Sequence, residues 1–242
     1  MPSRTPEDVA QHAAAAPDLP VLDAGVADCF ACPRLVAWRE EAARVKRASF
    51  RDQTYWARPI PGFGPGDASI AILGLAPAAH GGNRTGRIFT GDSSGDWLFD
   101  ALHRFGFANQ PVSVHRDDGL RLRDCYVTAA ARCAPPDNRP TREELGRCRG
   151  WLARELALLD RIRVVIALGR IGREAWLRAS GWWDRLPPRE RPAFGHGAVA
   201  TLPDGTIFIA SYHPSRQNTN TGRLTREMWY GPFRAARRGL SP

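Results

Sequence analysis

The chain has 242 residues, 43% of them apolar, with 34 Lys and Arg against 25 Asp and Glu and a net charge of +9. This suits one large α/β domain with a buried core. The absence of a run of about 18 apolar residues excludes a membrane-spanning helix.

No charged segment followed by an apolar stretch opens the chain, so a cytoplasmic protein is expected rather than a secreted one. Every basic residue except Lys46 is an arginine. The planar fork of arginine suits phosphate, so the positive excess points to a polyanion, most simply nucleic acid. A GC-rich coding bias toward Arg, Ala, Gly and Pro explains the same composition equally well, so charge alone does not decide.

Residues 1–20 are polar and Ala-rich and read as a frayed helix or flexible N-terminal segment, leaving 21–242 as the single main domain. Cys29-Phe30-Ala31-Cys32-Pro33 follows. A helix-like stretch, 35–45, comes after it. The Cys-x-x-Cys admits a redox dithiol, a zinc half-site or an iron–sulfur half-site. No strand precedes it, which disfavours the thioredoxin arrangement. Residues 50–66, rich in Arg, Pro, Gly and aromatics, read as a loop covering a sheet edge.

The apolar run 69–73 reads as a buried strand. It opens into a long glycine-rich loop, 74–92, with five glycines, two arginines, an asparagine, a histidine, an aromatic ring and a carboxylate. A plain connector needs only about 2–6 residues. Open α/β sheets bind ligands at the carboxyl ends of strands, so this loop is the first site candidate. A helix over 94–106 follows, with Trp97, Leu98, Ala101, Leu102 and Phe105 on one face.

Residues 125–130 read as a second strand, in which Cys125 is a small buried hydrophobe. Thr141-Arg142-Glu143-Glu144 is a capping box. It opens a helix that carries Leu145, Cys148, Leu152, Leu156 and Leu159 on one face. Residues 164–168 form a near-continuous apolar strand typical of a parallel sheet, followed by a helix over 171–178 and an insertion around Trp182, Trp183, Pro187 and Pro188. Residues 207–210 make a fourth core strand, paired with 198–202. A polar loop, 211–222, and a helix from about 223 close the chain. The alternation of strands and helices predicts a three-layer α/β/α sandwich around a mostly parallel, four-stranded sheet.

Cys29, Cys32, Cys133 and Cys148 give four candidate metal ligands. Four cysteines without a secretion signal argue for a metal rather than disulfides. Their spacing does not separate zinc from a 4Fe–4S cluster.

The glycine-rich loop, the segment from Cys133 to Thr141 and the segment from His213 to Thr225 together resemble the type-5 uracil-DNA glycosylases. The resemblance spans Asp28 to Phe233, with three motifs and four cysteines in order. It implies the α/β/α sandwich of the uracil-DNA glycosylase superfamily and a structural 4Fe–4S cluster held by Cys29, Cys32, Cys133 and Cys148. It also implies a monofunctional, hydrolytic excision of uracil from DNA in base excision repair, with hypoxanthine, xanthine or other damaged bases as further substrates. Many branches of the superfamily place Asp, Asn or Glu just before the proline of the first motif. Leu75 and Ala76 stand there in this chain, a substitution shared with type 5, so the water-activating role must fall elsewhere.

Cleavage of an N-glycosidic bond needs the base flipped into a pocket, charge stabilised on the departing base, and an anion or activated water beside an oxocarbenium-like sugar. The resemblance assigns the last task to Asp92, which competes with a helix N-cap reading of the same residue. It carries Asn138 over as a base-edge or water-positioning residue, against the reading of a turn asparagine between prolines. His213, at a strand end, is suited to donate to the developing charge on the base.

Phe89 is placed to stack on the flipped base, and Leu75 and Ala76 to line its pocket. His80, Asn83, Arg84 and Arg87 are candidate DNA contacts. Arg216, Gln217 and Asn218 suit entry into the minor groove, and Ser215 and Thr219 contact with phosphate. No lysine lies in a motif, so no Schiff base and no lyase step is expected. The expected partner is damaged DNA, with no membrane and no protein partner, and the enzyme is expected to be a monomer located with the nucleoid. Two rivals stand beside this reading. One is a catalytically degenerate, Fe–S- or zinc-stabilised nucleic-acid-binding protein. The other is a phosphate-handling enzyme, opposed by the lack of Gly-Lys-Ser/Thr after the loop and of Gly-x-Gly-x-x-Gly at the helix.

Overall fold

The structure is a computed structural model that describes residues 1–240. Five strands, β1 (Ile70–Gly74), β2 (Cys125–Ala129), β3 (Val164–Leu168), β4 (Val199–Thr201) and β5 (Ile207–Ser211), form one sheet in the order β2-β1-β3-β5-β4. The first four places in that order pair in parallel, and β4 joins β5 antiparallel. The expected four-stranded sheet is therefore five-stranded. The fifth strand is the short, largely exposed 199–201 segment at an edge, which pairs with β5 as expected of 198–202 and lies outside the count of four core strands.

Ten helices accompany the sheet: α1 (Pro6–Ala15), α2 (Leu19–Ala27), α3 (Pro33–Val45), α4 (Gly82–Thr85), α5 (Ser93–Arg104), α6 (Arg142–Leu158), α7 (Gly169–Ala179), α8 (Trp182–Arg185), α9 (Arg216–Asn220) and α10 (Arg226–Gly239). β1, β2, β3 and β5 are buried on both faces, and their alternate side chains serve opposite layers. Ile70, Ile72, Val127, Val164, Ile166 and Ile209 pack with Leu98, Phe99 and Leu102 of α5 and Trp229 and Phe233 of α10. Ala71, Leu73, Val165, Ala167 and Phe208 face Leu152 of α6 and Trp176 and Leu177 of α7. This is the three-layer sandwich.

Loop 50–66 covers the β2 edge as expected, because Phe63 and Val127 exchange both backbone hydrogen bonds at 2.8 Å. The N-terminal segment, in contrast, is not a loose tail. Thr5 and Asp8 form a capping box on α1, and Val9 and Ala13 bury against Trp151 of α6. The Arg154 guanidinium donates to the Ala16 carbonyl at 2.9 and 2.7 Å. Only two apolar positions anchor this helix, so its composition reads as polar. Among the described residues no helix is long and apolar enough to cross a membrane.

Candidate active site

The sheet order reverses between β1 and β3, and the carboxyl ends of strands at such a point are the usual ligand position in open sheets. The glycine-rich loop leaves β1 there and ends at Asp92, the N-cap of α5. Asp92 Oδ1 accepts hydrogen bonds from Ser94 N–H at 2.9 Å and Gly95 N–H at 3.0 Å. Its other oxygen, Oδ2, lies so close to Gly81 that a Cβ there would collide with it. The capping and catalytic readings of Asp92 are thus compatible, one oxygen for each. Burial raises its pKa above the usual carboxylate value, and the two backbone hydrogen bonds and the nearby Arg216 charge oppose that rise.

His213 follows β5. It sits against Gly169, the first residue after β3, where a Cβ would lie 3.6 Å from the His213 Cβ. Burial pushes its imidazole down to about 4, so at neutral pH it is a neutral ring with one N–H to donate. The Phe89 ring stacks on it with centroids 5.8 Å apart and planes at 26°. Phe89 therefore faces His213 rather than standing free for a base, and it is only 6% exposed. Its backbone is left-handed, at φ +52°, a conformation that costs about 1–2 kcal/mol for a residue with a Cβ. A Cβ on Gly74 would meet the tip of this ring, which explains a glycine at the end of β1.

The polar residues of the loop turn inward. Arg87 is 3% exposed. It donates to Thr90 Oγ1, Ser113 Oγ and the Arg116 carbonyl, and pairs with Asp118 at 2.6 Å. Arg84 donates to the His80 carbonyl at 2.8 Å, Gln53 Oε1 at 2.5 Å and the Gly91 carbonyl at 3.1 Å, and lies 3.9 Å over the Phe50 ring. Asn83 is buried and donates to the Arg39 carbonyl at 3.0 Å. His80 Nδ1 is bonded to the Tyr55 hydroxyl at 3.0 Å. Burial, then the charges of Arg47 and Arg84, lowers its pKa. Of the four expected to reach DNA, Asn83, Arg84 and Arg87 are buried and brace the loop, and His80 is half-buried. Arg87 and Asn83 have no solvent-facing surface to offer a phosphate, and the donors of Arg84 are engaged by protein acceptors.

The second loop folds as α9, with Arg216 and Gln217 exposed. Arg216 Nε donates to Ser93 Oγ at 3.3 Å, which brings it beside Asp92. Asn218 Nδ2 donates to the His213 carbonyl at 2.8 Å, and Thr219 Oγ1 to the Ser215 carbonyl at 3.2 Å. Leu75 and Ala76 are half-buried at the end of β1. Asn138 is exposed on a 3-10 turn, Pro136–Asn138, with Asp137 and Asn138 both left-handed at φ +53° and +56°. Among the described residues no hydrogen bond or ring contact joins Asn138 to Asp92 or His213.

Sequence reasoning missed His196. Its Nδ1 accepts the Tyr212 N–H at 3.2 Å, so the ring proton is on Nε2, which donates to the Met228 carbonyl at 2.9 Å. This fixes the end of β5 just before His213. An isolated histidine between two glycines gave no signal of it.

Cys29, Cys32, Cys133 and Cys148 line one small cavity, together with Ala31, Leu35, Arg132 and Trp151. Burial, then the neighbouring Cys133 and Cys29, pushes the Cys32 thiol up to about 12. Arg132 N–H donates to Cys148 Sγ at 3.3 Å, and Arg39 Nη1 to Cys133 Sγ at 3.2 Å. Both arginines are buried, and the Nε of each is sealed from solvent without a partner. Sulfur-lined space flanked by buried cations fits an anionic metal–thiolate group. Among the described residues no three His, Cys, Asp or Glu side chains stand as the ligands of a single metal ion do. Cys125 is buried in β2, away from this cavity.

Residues 61–234 match the family model described as the uracil DNA glycosylase superfamily. The chain is 55% identical over 210 residues to the type-5 uracil-DNA glycosylase of Thermus thermophilus, covering 87% of this chain and 93% of that protein. It is 51% identical over 218 residues to the type-5 enzyme of Mycobacterium bovis, covering 90% and 80%. It is 48% identical over 200 residues to that of Pyrobaculum aerophilum, covering 83% and 84%. The chain belongs to the uracil-DNA glycosylase superfamily, in its type-5 branch.

Proposed function

We propose that this protein is a monofunctional uracil-DNA glycosylase of base excision repair. The observations that support the reading are the Phe89 ring stacked on His213 and Asp92 at the N-cap of α5, on the loop that carries Phe89. In this reading the target nucleotide leaves the duplex and its base enters a pocket bordered by Leu75 and Ala76. The neutral His213 donates its N–H to the base oxygen on which negative charge builds as the C1′–N1 bond breaks, an oxyanion-hole role. The electron pair of that bond leaves with the base. The Asp92 carboxylate faces the sugar as it gains positive charge. It takes the proton of the water whose oxygen bonds to C1′, so that base and an abasic sugar are the products.

The site does not form a covalent imine. The single lysine, Lys46, caps α3 and donates to the Arg51 carbonyl at 3.1 Å. Exposed Arg216 and Gln217 on α9 enter the gap left by the extruded base, and Asn138 reaches the base edge from its exposed turn. The apolar side chains of Leu75 and Ala76 add no hydrogen-bonding group of their own beyond the backbone N–H groups there, which supports acceptance of hypoxanthine and xanthine beside uracil.

Cys29, Cys32, Cys133 and Cys148 would hold a structural 4Fe–4S cluster, which supplies a rigid cross-link rather than glycosidic chemistry. It ties the N-terminal helices to the start of α6 and, through the Asn83–Arg39 hydrogen bond, borders the glycine-rich loop. Two buried arginine Nε groups aimed at no protein acceptor support this assignment.

The test is base release from a labelled duplex with one central uracil opposite guanine. Strand cleavage only after alkali establishes a monofunctional glycosylase, and a panel with hypoxanthine and xanthine sets its range. No release of any of these bases, with DNA binding intact, favours a degenerate binding protein.

A further inference from the structure

Arg39 is 1% exposed, among the most buried large side chains of the molecule. Arginine keeps its charge at any ordinary pH. Among the described residues no carboxylate pairs with Arg39. Its Nη1 donates to the Cys29 carbonyl at 3.1 Å and to Cys133 Sγ at 3.2 Å. Its guanidinium lies 4.9 Å over the Phe30 ring, and its Nε has no partner. Arg132, which lines the cavity, is equally sealed but has the Glu155 carboxylate at 2.6 Å. A sealed cation with only a carbonyl, a sulfur and an aromatic face around it lacks its countercharge. The one side-chain atom it bonds is a cysteine sulfur, so the countercharge belongs on the sulfur side.

We propose that Arg39 is the buried counter-ion of the group held by the four cysteines, retaining that group and setting its reduction potential. This rests on the 4Fe–4S reading above. A cluster bound by four thiolates is a net anion, and one-electron reduction makes it more negative. Net charge and hydrogen bonds to the sulfurs are the levers by which a protein moves the potential of such a cluster. Arg39 works both levers at Cys133. It therefore favours the reduced state, and its removal makes reduction harder. Arg132 is paired with Glu155 and Arg147 with Glu143, so among the described residues Arg39 is the cation at the cysteines that has no carboxylate partner.

The full-length protein, purified anaerobically, is compared with Arg39→Met by iron and sulfide content, by the rate of iron loss to a chelator and by the midpoint potential in protein-film voltammetry. The variant is expected to lose iron faster, and its loaded fraction to show a midpoint shifted to more negative potential. A loaded Arg39→Met protein with the wild-type potential and the wild-type rate of iron loss overturns the assignment. Should Arg39→Met not fold, Arg39→Gln keeps an N–H donor for Cys133, removes only the charge, and carries the same measurements with the same expected direction. Failure of the cluster reading itself appears elsewhere: wild-type protein that is colourless, or that holds stoichiometric zinc, sinks that reading and this one with it.

Discussion

Arg87 and Asp118, 31 residues apart, form an ion pair at 2.6 Å with side-chain exposures of only 3% and 13%. The pair ties the loop that carries Phe89 to the loop around residues 109–119. Burial works against the Asp118 charge. The Arg87 hydrogen bond and the N–H groups of Val114, Leu120 and His115 outweigh it and hold the carboxyl well below its usual range. A carboxylate with a depressed folded pKa stabilises the fold above its unfolded value, near 3.8, and that contribution is lost as pH falls through the folded value. Removing one partner strands the other in a buried place. Arg87→Met is therefore expected to destabilise the protein by about 3–5 kcal/mol, read as a lower midpoint in urea at pH 7. The gap between wild type and variant should narrow as the pH is lowered below about 4.

Asp92 has one oxygen on the helix cap and one facing Gly81. Asn at this position still accepts the hydrogen bonds of Ser94 and Gly95 but carries no charge. Asp92→Asn is expected to melt within about 1 kcal/mol of wild type, since Asp and Asn cap helices about equally well. Its rate of uracil release should fall by about 10²–10⁴-fold, the usual loss of a positioned acid–base group. Single-turnover release and thermal melting on the same preparation separate the two roles. A variant that melts like wild type and excises like wild type leaves Asp92 as a cap alone.

His213 is neutral well below the pH at which an ordinary histidine protonates, because burial has pushed it down to about 4. The profile of uracil release against pH is therefore expected to show no inflection near 6.5 that belongs to His213. Protonation of Asp92, whose pKa burial raises above 3.8, contributes an acid limb that Asp92→Asn removes. Loss of the imidazole in His213→Ala removes one donor from the leaving base and should cost about 10²–10³-fold in rate. An inflection near 6.5 that disappears in His213→Ala would show a solvated, titrating histidine and contradict the oxyanion role.

The sandwich was legible in the sequence because its strands are continuous apolar runs and its helices carry apolar faces at helical spacing. The positions of Asp92 before α5 and His213 after β5 were legible as a helix start and a strand end, whereas the catalytic reading of Asp92 came only with the family resemblance. The direction in which the loop polar groups point was not. Arg84, Arg87, Asn83 and His80 look in sequence like a solvated, phosphate-seeking loop, yet their acceptors, such as Asp118, Ser113, Gln53 and the Arg39 carbonyl, come from distant segments. Pairings of that kind leave no periodic trace. The same holds for Arg39, one of many arginines in the composition, which only the packing of α3 against the cysteine cavity sets apart.

The left-handed Phe89 depends on a glycine beyond the loop. A Cβ at position 95 would collide with the Phe89 carbonyl oxygen, so the first turn of α5 admits the loop backbone only because residue 95 has none. Gly95→Ala should force Phe89 away from α5 and from its stack on His213, although alanine is the better helix former at an ordinary helical position. The expected outcome is a loss of about 1–3 kcal/mol in stability, together with a fall in uracil release larger than in a variant of matched instability elsewhere, such as Ile166→Val in β3. Chemical denaturation and single-turnover release on both variants check this. Equal losses of activity at equal stability would mean that the Phe89–His213 geometry has no part in catalysis, and that Gly95 serves only the packing of the helix start.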